Sequence, residues 1–167
     1  ENRGSAAAAN TGVKMARGKH IVFCDADDLL GQESVYALSE GLKTHPLATG
    51  EKIGFRREHR GEIIYTFTTK GSKKRHMLTR SDRIECHYLL HANIFGAPRS
   101  VRRSDFERIG GFNEVLRVTY DYDLVHRLVY PGSYAPPYFT EQVLYWHRQV
   151  QDSLTTRNRD LQLEEAE

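Results

Sequence analysis

The apolar run Ile21-Val22-Phe23-Cys24 leads directly into Asp25-Ala26-Asp27-Asp28. A short apolar run containing β-branched and aromatic residues reads as a buried strand. Three carboxylates then crowd its carboxyl end. Their mutual repulsion is costly unless a cation or a polyhydroxyl ligand compensates. Open α/β sheets bind ligands beyond the carboxyl ends of their strands, so a site is expected here. Hard oxygen donors suit Mg²⁺ or Mn²⁺, which commonly share a site with a substrate phosphate. A calcium loop starting at Asp25 is excluded, because its sixth and twelfth positions are Leu30 and Tyr36 rather than Gly and Glu. The plainer alternative is a cap, with Asp27 or Asp28 opening a helix over Leu29 to Thr44.

The flanks supply an α/β rhythm. Ser5 is placed to cap a helix through Ala6, Ala9, Val13 and Ala16, stopped by Gly18. Val35, Leu38 and Leu42 mark a second amphipathic helix, ended by Pro46. Helix, strand, acidic loop and helix in that order predict helices packed on a sheet. Further on, Ile53 to Phe55 and Ile63 to Thr69 flank His59-Arg60-Gly61 as a hairpin. Residues 70 to 83 carry six Lys/Arg and one Asp, a local charge of +5, and read as a loop. A helix is expected over Ser81 to Leu90, and a short strand at Val101. Ser104 and Glu107 have capping-box spacing for a helix ending at Gly110-Gly111. Leu124, Val125 and Leu128 mark another helix, and Val143 to Trp146 a late strand.

Composition narrows the class. The chain has 167 residues, suiting one domain, with 39% hydrophobic and 28% charged residues. That is soluble-globular composition, not a disordered one. A net charge of +2 gives no argument for nucleic acid. The longest apolar runs are four residues, against ~20 for a membrane helix. Cys24 and Cys86 form no disulfide framework or zinc ribbon, consistent with a reducing compartment. We therefore expect a cytoplasmic protein and no nucleic-acid partner.

Other residues offer chemistry but admit bland readings. Asp121 and Asp123 open a helix, where carboxylates favour the dipole; one could equally serve as a general base. His87 and His91 have a helical metal-binding spacing without a third ligand. His147 is a ligand candidate or an edge residue of the late strand. The basic loop fits phosphates or an anionic membrane surface as well as plain solvation. Arg99, Arg102, Arg103 and Arg108 suit a diphosphate or simply face solvent.

Two blocks together resemble family 2 glycosyltransferases. The first is Asn2-x-Gly4-x-x-Ala7-x-x-Asn10-x-Gly12, continuing to Ala16-x-Gly18-x-x-Ile21-x-Phe23-x-Asp25-Ala26-Asp27-Asp28. The second runs from Arg103-Ser104-x-Phe106-x-x-Ile109-Gly110-Gly111-Phe112-Asn113-Glu114 to Asp121-Tyr122-Asp123-Leu124-x-x-Arg127-Leu128. Val143-Leu144-Tyr145 and Ser153-Leu154-Thr155 are similar to the family's closing strand and tail. The resemblance implies a GT-A fold, a Rossmann-like mixed sheet flanked by helices. Residues 1–156 would be a partial catalytic domain lacking its N-terminal strands, and 157–167 an acidic tail.

The same resemblance implies roles. Asp25 would hold the ribose of a nucleotide-sugar donor, uridine-linked, and Asp27 would ligate Mn²⁺ or Mg²⁺ at its diphosphate. Asp121 would deprotonate the acceptor hydroxyl for an inverting displacement. Asn10, Asp28, Arg103, Asp123 and Arg127 fall among the substrate-binding positions, and His147 joins the metal set. The family's own metal-shell histidine aligns with Val150, and its usual Ala-Arg-Asn is Ala8-Ala9-Asn10 here. The expected acceptor is a glycan or lipid-linked hydroxyl, with peripheral membrane contact through Lys73, Lys74 and Arg75. The rivals are a sugar-phosphate nucleotidyltransferase and an inert nucleotide-sugar or glycan-binding module.

Overall fold

A computed structural model describes residues 2–57, 63–66, 97, 99–129 and 137–148. Helix α1 spans Ser5–Met15 and turns Ala6, Ala7 and Val13 inward. Its N-cap is Gly4 at φ 90, with no side-chain cap, so Ser5 is the first helical residue rather than the cap. Strand β1 (His20–Phe23) follows, and the acidic residues lie just past its end. Leu29–Leu30 is not helical. It forms β2, paired antiparallel with the late strand at Tyr145 and Trp146. Helix α2 starts only at Ser34 and runs to Gly41. Asp27 and Asp28 therefore cap nothing, and the plain reading of the acidic cluster falls away.

Strand β3 runs Leu47–Arg57, far beyond the short apolar core that signalled it. Strand β4 (Ile63–Thr66) pairs antiparallel with it, as the expected hairpin requires, while the expected turn His59-Arg60-Gly61 and residues 67–69 lie outside the described residues. Strand β5 (Arg99–Arg102) leads straight into helix α3 (Arg103–Arg108). The N-cap of α3 is Arg102 and has no side-chain cap bond, which displaces the expected Ser104 capping box by two residues. Helix α4 spans Tyr120–Val129, and β6 spans Tyr138–Arg148. The basic stretch 70–83, the helix expected over 81–90, His87, His91, Val150 and the tail 157–167 lie outside the described residues.

The described strands form one mixed sheet in the order β1-β5-β3-β6-β2, with β4 also on β3. Strands β3 and β6 are parallel; the other pairs are antiparallel. Two antiparallel steps separate β1 from β3, so β1, β3 and β6 all point the same way. Their carboxyl ends share one edge of the sheet, and the amino end of β5 lies there too. Register slips around Glu51 bend β6 against β3. Gly50 sits at that bend, where an added Cβ would come within 2.8 Å of the Leu144 side chain.

Helices cover both faces, as a sheet with two apolar faces requires. On one face α1, α3 and α4 bury Val13, Phe106, Leu124 and Leu128 against Ile21, Leu47 and Val101. Phe106 and Phe112 meet edge-on with centroids 5.4 Å apart, a favoured aromatic geometry. On the other face α2 packs Leu38 and Leu42 against Ala48 and Leu144. Gly41 touches Tyr138 so closely that a Cβ would lie 2.1 Å from its ring. No helix among the described residues is long and apolar enough to cross a membrane.

Candidate functional site at the carboxyl edge of the sheet

The loop between β1 and β2 passes along the shared carboxyl edge, and β6 fastens it. The Asp25 N–H donates to the Tyr145 hydroxyl at 3.1 Å. Tyr145 is fully buried, and its hydroxyl also bonds the Asp28 side chain. The Asp28 carboxylate accepts the Arg148 N–H at 2.7 Å and faces Nδ1 of His147 at 3.2 and 3.3 Å. Asp28 is itself 7% exposed. Within the loop the Asp28 N–H returns to the Asp25 carbonyl at 3.1 Å, a tight turn. Burial and the bond to Asp28 both push the Tyr145 phenol far above its ordinary range. Tyr145 thus remains a neutral hydroxyl that accepts from Asp25 and donates to Asp28, pinning two points of the acidic loop to the sheet.

Asp25 and Asp27 are the carboxylates this bracing leaves at the surface. Desolvation raises the Asp25 carboxyl above its usual range, and the neighbouring Asp28 and Asp27 charges add to that. Arg99 and His147 act in the opposite direction. Among the described residues, no three His, Cys, Asp or Glu side chains converge on a common point suited to a metal. The Nδ1 of His147 is turned to Asp28. The donor set near the loop is therefore two adjacent carboxylates. That suits a hard ion taking most ligands from water and phosphate, not a closed protein cage.

The raised Asp25 carboxyl carries a stability consequence. The folded protein holds this proton more tightly than the unfolded chain, so the stability it confers exists below the ordinary value of 3.8 and is lost as pH rises through the raised one. Asp25→Asn is expected to raise the melting midpoint at neutral pH, with the advantage vanishing in acid. Thermal melts from pH 3.5 to 8 test this, and an Asn variant less stable at neutral pH would overturn it.

From the opposite side α4 brings Asp121 to the same edge. Arg99, 7% exposed at the amino end of β5, forms an ion pair with its carboxylate. The sheet register sets Arg99 opposite Phe23, two residues before Asp25. The Tyr120 phenol, pushed up by burial, lies within the influence of Arg99, Asp121 and Asp25 together, and its hydroxyl bonds Ser5. Arg99 was one of several ambiguous arginines in the sequence. Its expected place on a half-buried strand gives no sign that it is buried against Asp121.

Four sequence-predicted residues have other occupations. Asn10 accepts the Phe112 N–H at 2.9 Å and donates to the Phe112 carbonyl at 3.0 Å and to Glu114 at 2.9 Å. It brackets the Gly110-Gly111 turn, whose glycines have φ of 81 and 77. A Cβ on Gly111 would also lie 2.8 Å from the Asn10 amide oxygen. Arg103 binds the Val13, Ala16 and Gly18 carbonyls and so closes the carboxyl end of α1. Asp123 and Arg127 pair with each other at 2.5 Å, and Arg127 also donates to the Ile109 carbonyl at 2.7 Å. Asn10 and Arg103 join the two sequence blocks into one scaffold, and Asp123 with Arg127 braces the second, while Asp25, Asp27, Asp28 and His147 surround the β1 loop and Asp121 reaches the same edge through Arg99. The buried Asp28, expected to bind substrate, is a brace.

Comparisons agree with this architecture. A staphylococcal (S. aureus) TarS structure of residues 1–349 superposes with a TM-score of 0.59 at 15% identity, covering 87% of this chain and 40% of that one. A structure of the same TarS segment in complex with UDP gives 0.56, also at 15% identity, covering 97% and 45%. These likenesses establish the GT-A fold. An uncharacterized glycosyltransferase of Rickettsia typhi is 29% identical over 177 residues, spanning all of this chain and 51% of the relative. One from Haemophilus influenzae is 26% identical over 149 residues, spanning 86% and 47%. The chain thus spans about half the length of the curated relatives it matches. The family model described as glycosyl transferase family 2 matches residues 1–110, taking in the acidic loop and β5 but ending before α4. With two-thirds of its length matched and the fold in agreement, the chain belongs to glycosyl transferase family 2.

Proposed function

We propose that this chain carries the reacting centre of an inverting, metal-assisted glycosyltransferase. It would move a sugar from a uridine diphosphate donor to a hydroxyl of a glycan or lipid-linked acceptor. The carrying observation is Arg99, which pairs with Asp121 from α4 and stands in the sheet opposite Phe23, two residues before the acidic loop of Asp25 and Asp27. The UDP found with the TarS fold supports a uridine donor for this chain. Asp25 holds the donor ribose through its carboxylate. Asp27 is the residue that would hold Mn²⁺ or Mg²⁺, with Nε2 of His147 the second candidate ligand. Such an ion, when bound, neutralises charge on the departing diphosphate.

Asp121 accepts the proton of the acceptor hydroxyl. The freed oxygen attacks the anomeric carbon, and the carbon–oxygen bond to the diphosphate breaks with its electron pair leaving on phosphate. One displacement inverts the anomeric centre. Asp28, Tyr145 and Arg148 keep the loop in register while this happens.

Calorimetric titration of uridine diphosphate into the chain, with and without Mn²⁺, tests the donor half. Binding should require the metal and weaken at least tenfold in Asp27→Ala. Metal-independent binding, or an unchanged Asp27→Ala variant, would sink the assignment. Release of nucleoside diphosphate rather than pyrophosphate by the parent protein separates transfer from nucleotidyl chemistry. Binding without any turnover would favour the inert module.

A further inference from the structure

We propose that Arg99 is a positioning residue for Asp121: it holds the base carboxylate and ties its placement to the donor loop. This rests on the reading of Asp121 as the base. The observations are geometric. Arg99 is buried, and its side chain is only 9% exposed beside an Asp121 side chain 19% exposed. One arm of the guanidinium grips Asp121. Its backbone pairs with Phe23, two residues before Asp25, so the same residue stands beside the donor loop. Its Nε–H is buried with no acceptor among the described residues. Buried donors are nearly always satisfied, and an exception calls for a missing partner.

The rigid guanidinium matters more than the charge. One arm of a planar, packed group holds Asp121 in a fixed direction, whereas an ammonium is a point charge on a flexible stem. Arg99 is also what makes a half-buried carboxylate at position 121 tolerable, since removing one member of a buried pair leaves the other uncompensated. Lysine at 99 keeps the compensation and loses the orientation, which separates positioning from bulk stability.

The experiment is a double-substitution cycle in the parent protein. UDP release from UDP-glucose and UDP-N-acetylglucosamine is measured with water as acceptor, beside calorimetric UDP affinity. Arg99→Lys should lower kcat about tenfold or more, with UDP affinity changed less than threefold. In an Asp121→Asn background the same lysine should cost less than twofold, because a residue acting through Asp121 has nothing left to position. Equal losses in both backgrounds would overturn the positioning role while leaving the base assignment intact. Unchanged kcat in Arg99→Lys would overturn it too. Wild-type kcat in Asp121→Asn alone removes the base assignment and this inference with it, as does a parent protein releasing no UDP from either donor. If Arg99→Lys fails to fold, Arg99→Gln runs the same cycle with the same criteria.

Discussion

Asp121→Asn in the parent protein is expected to lower kcat by about 10²–10⁴-fold, the range general-base catalysis supplies. Asparagine keeps the shape and one acceptor oxygen but cannot take a proton at any working pH. UDP affinity should stay within about threefold of wild type, because the proposed function assigns the donor to the β1 loop rather than to α4. Steady-state kinetics beside UDP calorimetry distinguishes the two. A parallel fall in kcat and donor affinity would mean that Asp121 shapes the donor pocket instead. Asp123→Asn is the internal control. Its carboxylate is taken by Arg127 at 2.5 Å on the same helix, so its loss should disturb α4 without a specific loss of kcat. Near-equal rate losses in the two variants would deny Asp121 its special role.

Asp28→Ala is expected to destabilise the chain by about 3 kcal/mol, as two buried donors lose their acceptor at about 1–3 kcal/mol each. Those donors are the Arg148 N–H and the Tyr145 hydroxyl. His147 is more exposed and can turn to water, so it adds little. Because the same carboxylate holds the loop against β6, donor affinity should fall along with the denaturation midpoint. Tyr145→Phe should show a milder version of both, removing one hydroxyl that serves Asp25 and Asp28 at once. Denaturant titration of both variants checks the order. An Asp28→Ala protein as stable as wild type, with donor binding alone lost, would restore Asp28 as a direct ligand.

Much of this was already legible along the chain. The apolar run before the acidic cluster places β1. Spaced Leu and Val place α2 and α4, and paired glycines mark the turn after α3. Those are local patterns, set by the period of side-chain direction and by which residues tolerate positive φ. The two separated blocks also identify the family, since their order and spacing are sequence properties. What sequence left undecided is which polar residues work and which brace. Asp25, Asp27 and Asp28 are near neighbours of one type. Only the packing of β6 makes Asp28 a buried acceptor and leaves its neighbours at the surface. Asn10 looks like a ligand until its amide is seen bonded to Phe112, more than a hundred positions away. Arg102 and Arg103 are adjacent and alike, yet the switch from β5 to α3 between them sends them to the carboxyl ends of two different helices, on the carbonyls of Leu42 and His45 and on those of Val13, Ala16 and Gly18. Arg99 gave no local signal at all. A side chain's chemical type is fixed in the sequence; its solvation and its partner depend on elements arriving from far along the chain, and those two quantities decide whether a charge braces the fold or faces a substrate.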